Sequence, residues 1–234
     1  MNECRFRNAS IRRHASAVKT KINPNLAYFA HMDGTTADFG VHKFPLGAHY
    51  PEFNTVNQKF GSACLGKCAT YQVRSTLLPG SRWTIDFWLF GATYSHDAVS
   101  LFSWGITPMS GCIIIQKKVG SANDSARQDI LLIFYPNSTP VILRLGPYPE
   151  NQWAHIAATY DGRMVRAFYN GVLTSAGVLE APLVSYLQYF SFQLNNTQQM
   201  RDEVRIMANE CAWISNFTPP SVPYTGYERY IHVT

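Results

Sequence analysis

Short apolar runs, broken by clusters of Gly, Pro, Asn and Ser, recur from Leu26 to Met207, and none keeps the 3.6-residue period of an amphipathic helix. Trp83–Phe90 shows the other period. Trp83, Ile85, Phe87 and Leu89 share one face of an extended segment, while Thr84, Asp86, Trp88 and Phe90 share the opposite face, half polar and half aromatic. This predicts a strand with one core side and one partly covered side. Farther along, the sequence predicts a strand over Trp153–Tyr160, a two-residue turn at Asp161-Gly162, a strand over Arg163–Tyr169 and a second turn at Asn170-Gly171. Asp-Gly and Asn-Gly tolerate the positive φ of turns that match the twist of antiparallel neighbours, so the segment reads as a meander. Further strands are predicted at Leu26–His31, Ser62–Leu65, Ala69–Arg74, Val99–Trp104, Cys112–Lys117, Ile130–Tyr135, Val141–Leu145, Leu187–Leu194 and Glu203–Met207. Many short strands separated by turn residues predict an all-β fold, a two-sheet antiparallel jelly-roll sandwich.

Composition refines this picture at the ends of the chain. Of the 234 residues, 15% are charged and 14% aromatic, a balance suited to a sheet-rich protein with broad packed surfaces. The net charge of +5 is located in residues 1–23, where Arg5, Arg7, Arg12, Arg13, Lys19 and Lys21 face Glu3 alone, and the remainder is formally neutral. The expected organisation is a basic arm over 1–25, one domain over 26–217 and an extended Pro- and Tyr-rich tail over 218–234. The tail opens with Thr218-Pro-Pro-Ser-Val-Pro-Tyr224, whose prolines exclude a helix or a central strand. No apolar run is long enough for a membrane helix, and the basic N-terminus lacks the apolar stretch of a secretory signal. Its Arg- and Ser-containing, acid-poor character also suits a transit peptide, an alternative set against the docked arm. Six cations hardly interleaved with aromatics, on a neutral domain, argue against nucleic-acid binding. Five cysteines, an odd number, suggest reduced thiols; Cys64 and Cys68 could be bridged only through a turn at Leu65-Gly66-Lys67, and zinc finds no second cysteine pair.

Several blocks resemble one family. Leu26–Gly34, Gln58–Leu65 and Trp83–Leu89 are similar to the opening strands of concanavalin A-like lectin/glucanase domains of laminin-G type. Trp153–Gly162 and Val165–Val172 resemble that family's central hairpin, and Asp202–Ile206 with Ser215–Tyr224 its closing strand and tail. The closing phrase is similar to bacteriophage members of the family. The resemblance implies a jelly roll over about residues 26–224 and a virion component, such as a tail, fibre or capsid-decorating protein made in the host cytoplasm.

The chemistry of the side chains points to binding. Glycoside-cleaving relatives place two carboxylates on one strand, whereas Asp86 stands alone and the adjacent Asp202 and Glu203 should point to opposite faces. No nucleophile elbow, zinc-protease motif or phosphate loop is present in the sequence. His155 reads as a packed strand histidine. The expected function is a non-catalytic structural or adhesion module, with a free-standing carbohydrate-binding lectin as the alternative. Sugars stack on exposed rings beside polar groups; Tyr94, Trp104 and Tyr148 fall at strand ends or loops, and Tyr94, His96 and Trp104 are the candidate ligand-binding residues. Trp83, Trp88 and Trp153 are expected inside the sandwich. Asp33 and Asp202 lie in blocks that meet if the first and last strands pair, and the resemblance makes them candidate ligands of a structural calcium. Arg5, Arg7, Arg12 and Arg13 of the arm, and Tyr224 and Tyr227 of the tail, are the candidate docking residues toward other virion proteins or copies of the chain.

Overall fold

The computed structural model describes residues 24–34, 46–48, 52–66, 71–74, 82–91, 99–104, 112–119, 128–135, 140–179, 189–192 and 199–224. Every regular element among these residues is a strand: β1 (Leu26–Ala30), β2 (Leu46–Ala48), β3 (Phe53–Asn54), β4 (Cys64–Leu65), β5 (Tyr71–Arg74), β6 (Trp83–Phe90), β7 (Val99–Trp104), β8 (Cys112–Val119), β9 (Gln128–Tyr135), β10 (Val141–Pro147), β11 (Trp153–Tyr160), β12 (Met164–Tyr169), β13 (Val172–Val178), β14 (Tyr189–Phe192) and β15 (Met200–Ala208). They form two antiparallel sheets, an all-β sandwich. The first runs β13-β12-β11-β6-β15-β4-β3, with β1 also paired to β15; the second runs β10-β9-β8-β7-β14-β5-β2.

The alternation along β6 decides where the core lies. Trp83, Ile85, Phe87 and Leu89 point inward and join Ile156 and Ala158 of β11 and Val204 and Ile206 of β15 against Phe102, Ile113, Ile115, Ile130, Leu132 and Phe134 of the second sheet. Each such fully buried side chain contributes roughly 1.5–3 kcal/mol relative to exposure. First and last strands do pair, Phe29 opposite Arg205 and Ala30 opposite Val204.

The meander forms with one shift. Tyr160 pairs with Val165, and the Asp161 amide donates to the Met164 carbonyl at 3.2 Å, so the tip is Gly162-Arg163 rather than Asp161-Gly162. Asp161 stands at the base of the turn, where its Oδ1 accepts the amides of Arg163 and Met164. The Asn170-Gly171 turn stands as expected: Tyr169 pairs with Val172, and both turn residues have positive φ, 49° and 78°.

Residues 209–224 run across the outer face of the first sheet as a strap. Ala212 donates its amide to Thr84 Oγ1, Thr84 donates to the Glu210 carbonyl, and Thr159 donates to the Trp213 carbonyl at 2.8 Å. The Phe217 amide donates to the Gly171 carbonyl at 2.9 Å. Beneath the strap a second apolar cluster forms from Leu26, Phe29, Ala157, Phe168, Met207, Ala212, Trp213 and Tyr224, with Phe217 against it. The segment 218–224, expected as part of an extended tail that docks on a partner, is therefore docked on its own sheet at Tyr224.

Gly171 lies under this strap, and a Cβ there would meet the Phe217 carbonyl oxygen at 2.0 Å. Gly171→Val combines that clash with a β-branched side chain at positive φ, and strain and overpacking each cost about 1–3 kcal/mol. A clear drop in thermal midpoint is expected. A midpoint equal to wild type would contradict the turn and the strap contact together.

Candidate functional site

Outer-face side chains of the first sheet build a buried polar centre. Asp86 of β6 sits between Arg205 of β15 and His155 of β11, because Asp86 pairs with Arg205 and Trp88 pairs with His155. Arg205 donates from Nε to Asp86 Oδ1 at 2.9 Å and from Nη2 to Oδ2 at 3.1 Å, a bidentate contact. The Tyr224 hydroxyl donates to Asp86 Oδ2, and His155 Nε2 lies 3.2 Å from the same oxygen. All of these side chains are buried. The Arg205 guanidinium also lies 3.8 Å from the centre of the Tyr224 ring, a cation–π contact out of water. Burial opposes ionisation of Asp86, yet Arg205 and His155 hold its carboxyl below the ordinary range. Burial pushes His155 down despite the pull of Asp86, so the imidazole is neutral and Arg205 balances the charge.

Beside this centre stands a second carboxylate group. Glu203 Oε1 lies 2.6 Å from His31 Nδ1, and Glu203 Oε2 accepts the Tyr224 amide at 2.8 Å. The bond to Glu203 raises His31 against the effect of burial, and burial raises Glu203 against the pull of His31. Asp202 and Glu203 do not follow the expected alternation. The register slips between Asp202 and Arg205, and Glu203 takes a φ of 51°. This bulge puts Asp202 beside Trp88 and Glu203 beside His31, on the outer side of the sheet in both cases.

Asp33 and Asp202 converge on one segment from two sides. Asp33 Oδ1 accepts the amides of Ser62 and Ala63 at 2.7 and 3.1 Å. Asp202 Oδ2 accepts those of Lys59 and Phe60 at 3.1 and 3.0 Å, and its Oδ1 accepts the Glu203 amide at 2.9 Å. Gly61 is required between them, since a Cβ there would overlap the Asp33 carboxylate. Burial, with Glu203 adding to it, pushes Asp202 up to about 7 against the amide bonds it accepts. Calcium takes 6–8 oxygen ligands. These oxygens face amide hydrogens, and no group of three or more His, Cys, Asp or Glu placed to hold a metal occurs among the described residues. The donor set fits a clamp on the backbone of residues 59–63.

The other sequence candidates separate. Trp104 is fully buried in the inter-sheet core, and Tyr148 is buried there too, so neither ring has a face for a sugar. The cause is strand phase: Trp104 is the last residue of β7 and points inward with Phe102. Tyr224, expected to dock on a partner, is buried against Asp86 and Glu203 of its own chain. Cys64 is a free buried thiol, not half of a bridge. Arg5, Arg7, Arg12, Arg13, Tyr94, His96, Tyr227 and Cys68 lie outside the described residues. Trp83 is in the core and Trp88 is buried on the outer face, but Trp153, expected inside the sandwich, is only half-buried. It packs edge-to-face on half-buried Phe90, with ring centroids 5.6 Å apart. Nearby, Lys59 Nζ stands 3.9 Å over the Trp88 ring and Phe60 meets Trp88 edge-on at 5.9 Å. Sequence reasoning missed Arg205, Lys59 and the Phe90–Trp153 pair as site residues. The signal available was the half-aromatic outer face of β6.

With this geometry the family assignment is direct. Residues 65–206 match the Laminin_G_3 family, the concanavalin A-like lectin/glucanases superfamily. The chain belongs to that superfamily. Its concanavalin A-like fold is shared by solved structures of low sequence identity. The binding domain of botulinum neurotoxin serotype D is 14% identical at a TM-score of 0.63, over 81% of this chain and 49% of the other. Domain 4 of AbnA, a GH43 extracellular arabinanase from Geobacillus stearothermophilus solved in complex with arabinotriose, is 16% identical at 0.60, over 79% of this chain and 92% of that domain. Tailspike protein 2 of Escherichia coli O157:H7 bacteriophage CAB120 is 14% identical at 0.51, over 71% of this chain and 26% of the tailspike. The chain spans about half the length of the neurotoxin binding domains, and these likenesses show the fold alone. No curated protein sequence matches the chain.

Asp86→Asn leaves the Arg205 guanidinium buried without its counter-charge, and breaking a buried pair in this way costs about 3–5 kcal/mol. Tyr224→Phe removes one hydroxyl donor and keeps the ring contact, so its loss should be about 1–3 kcal/mol. Chemical denaturation should rank the two in that order. The pH dependence has a definite sign. Since folding lowers the Asp86 value, its contribution is present above the ordinary carboxylate range and is lost as pH falls through the folded value. The acid limb of the wild-type melt should flatten in Asp86→Asn. Equal losses for both variants, or an unchanged acid limb, would contradict the network.

Proposed function

We propose that the chain is a non-catalytic adhesion and structural module of a bacteriophage particle, a tail, fibre or capsid-decorating component that engages other virion subunits and host-surface glycans. The observation that carries the non-catalytic reading is the state of the buried carboxylates. Asp86 is filled by Arg205, His155 and Tyr224; Asp202 is filled by three amides; Glu203 is filled by His31 and the Tyr224 amide. Hydrolysis with retention needs one carboxyl to protonate the leaving oxygen and another to attack, about 5–5.5 Å away and facing a substrate. These three face their own chain. On the same sheet Phe90 and Trp153 stay partly exposed, an aromatic pair of the kind that stacks on sugar rings. The tailspike likeness and the closing phrase Ser215–Tyr224 support the particle reading. The likeness over nearly the whole of the arabinanase domain supports the alternative, a free-standing lectin.

Glycan-array binding together with an assay of glycan hydrolysis tests this function, and binding without turnover is the expected result. Turnover of any glycan by the wild-type chain would overturn the non-catalytic reading. Mass spectrometry of purified particles separates the two modes: stoichiometric incorporation supports a virion module, and a soluble product absent from particles supports the lectin.

The basic arm supplies the attachment in this proposal, through Arg5, Arg7, Arg12 and Arg13 paired with carboxylates on a neighbouring subunit. Deleting residues 2–22 should leave a folded domain that no longer incorporates, and raised salt should weaken wild-type incorporation. Normal incorporation of the truncated chain would sink the idea.

The clamp made by Asp33 and Asp202 works without calcium in this account. EDTA should leave the melting temperature unchanged, since only a ligand of the folded state stabilises by mass action. A midpoint lowered by EDTA and restored by Ca²⁺ would reinstate calcium on these residues.

A further inference from the structure

Among the described residues the strap stops short of one end of the sheet it covers. Along β6 the outer side chains run Thr84, Asp86, Trp88 and Phe90. Thr84 is bonded to the strap at Glu210 and Ala212, and Asp86 is bonded to Tyr224. One row on, His155 lies edge-on to Trp213 at 6.0 Å and to Phe217 at 5.7 Å, and Trp88 beside it is capped by Lys59 and Phe60. The last row, Phe90 opposite Trp153, receives no ring from the strap among the described residues and stays half-buried.

The groups around this row are polar and aligned. The turn before Trp153 is tied to the end of β6, as the Gly91 amide donates to the Pro149 carbonyl at 3.1 Å and the Asn151 amide donates to the Gly91 carbonyl at 2.6 Å. Glu150, Asn151 and Gln152 on that turn are exposed. On the other flank Lys59 is half-buried, its ammonium lies over Trp88, and it makes no ion pair among the described residues. Asp202, the acid beside it, accepts the backbone amide of Lys59. Alternate residues of a strand lie about 6.6–7 Å apart, so the ammonium over Trp88 and the ring of Phe90 are within the span of one short oligosaccharide.

We propose that the Phe90–Trp153 row, with Lys59 at its flank, is a binding site for a saccharide that carries a carboxylate. This deepens the glycan-binding reading above and rests on it. The apolar C–H face of a sugar ring stacks on Trp153, and the planar side chains of the 150–152 turn bond the sugar hydroxyls as donors and acceptors. The sugar carboxylate meets Lys59 in a charge-assisted hydrogen bond, and partial burial of the lysine limits screening of that contact. Acidity is inferred from charge complementarity: Lys59 makes no ion pair among the described residues, the oxygens of the nearby Asp202 being taken up by backbone amides, and an anionic ligand supplies a partner.

Calorimetric titration decides the matter with four probes, a galacturonate oligomer and a sialyllactose as acidic saccharides from two sources, and a galactose oligomer and lactose as their neutral counterparts. Wild type should bind one of the acidic probes at least tenfold more tightly than its neutral counterpart. Trp153→Ala should weaken that binding at least tenfold, with Trp153→Phe recovering most of it. Lys59→Gln should weaken the acidic probe at least fivefold and leave the neutral one unchanged. Gln152→Ala, which removes an exposed side chain and keeps the backbone bonds of the turn, should weaken both probes. If wild type binds no probe and no glycan on an array, the glycan-binding reading itself fails. If wild type binds a glycan and both Trp153→Ala and Gln152→Ala bind it equally, the site is elsewhere and this inference is overturned. Preference for the neutral probe, or equal weakening of both by Lys59→Gln, overturns the acidic assignment.

Discussion

The carboxylate of Asp86 is fully buried on a sheet face that, without a covering layer, would be open to water. A buried charge of this kind is tolerated only with a counter-charge and further hydrogen bonds. Arg205 supplies the charge, and His155 and Tyr224 complete the shell. Tyr224 comes from the strap, so satisfying Asp86 and covering the sheet are one event. Replacing the ion pair by apolar groups of the same shape can be neutral for stability, which makes alignment the better account of its presence here. Tyr224 must arrive with its hydroxyl at Asp86, its amide at Glu203 and its ring against Arg205, and one position of the strap meets all three conditions.

From that point the outer layer propagates toward the meander. Trp213 stacks on Phe217 with ring centroids 3.9 Å apart, and Phe217 reaches Phe168 and the backbone of Gly171. The Asn170-Gly171 turn thus serves twice, as the hairpin between β12 and β13 and as the seat of the strap. At the opposite end, the bulge at Glu203 turns one carboxylate toward the first strand and the strap while its neighbour Asp202 holds residues 59 and 60. Two carboxylates adjacent in sequence thereby fasten two different segments to one sheet.

Much of the sandwich was legible in the sequence because period-two alternation is a local property. Trp83–Phe90 and Trp153–Tyr160 were bounded to the residue, and the first and last strands, whose pairing was the condition for Asp33 and Asp202 to meet, do pair. The turn at Gly162-Arg163 was misplaced by one residue because Asp161 was assigned to the tip, whereas its side chain caps the turn from the base. The site was much less legible. Asp86 stands alone in its strand, and its partners lie 69, 119 and 138 positions away, distances that no spacing rule spans. Trp104 and Tyr224 were misassigned for one reason: a ring at a strand end or in a Pro-rich segment looks exposed until the layer it packs against is known. The half-aromatic outer face of β6 was the informative clue, since it requires a cover over part of the sheet.

Residues 209–224 cover the Thr84–Asp86 part of the outer face of the first sheet, and among the described residues no ring of this strap reaches the proposed Phe90–Trp153 site. Hydrogen exchange of the wild-type chain, with and without a bound acidic oligosaccharide, tests this arrangement most directly, because it reports where a ligand orders the backbone. Exchange should be slow across the hydrogen-bonded part of 209–224 in both states, with ligand-induced protection confined to residues 58–60, 88–91 and 150–153. Fast exchange throughout the strap, or protection confined to the second sheet, would contradict it.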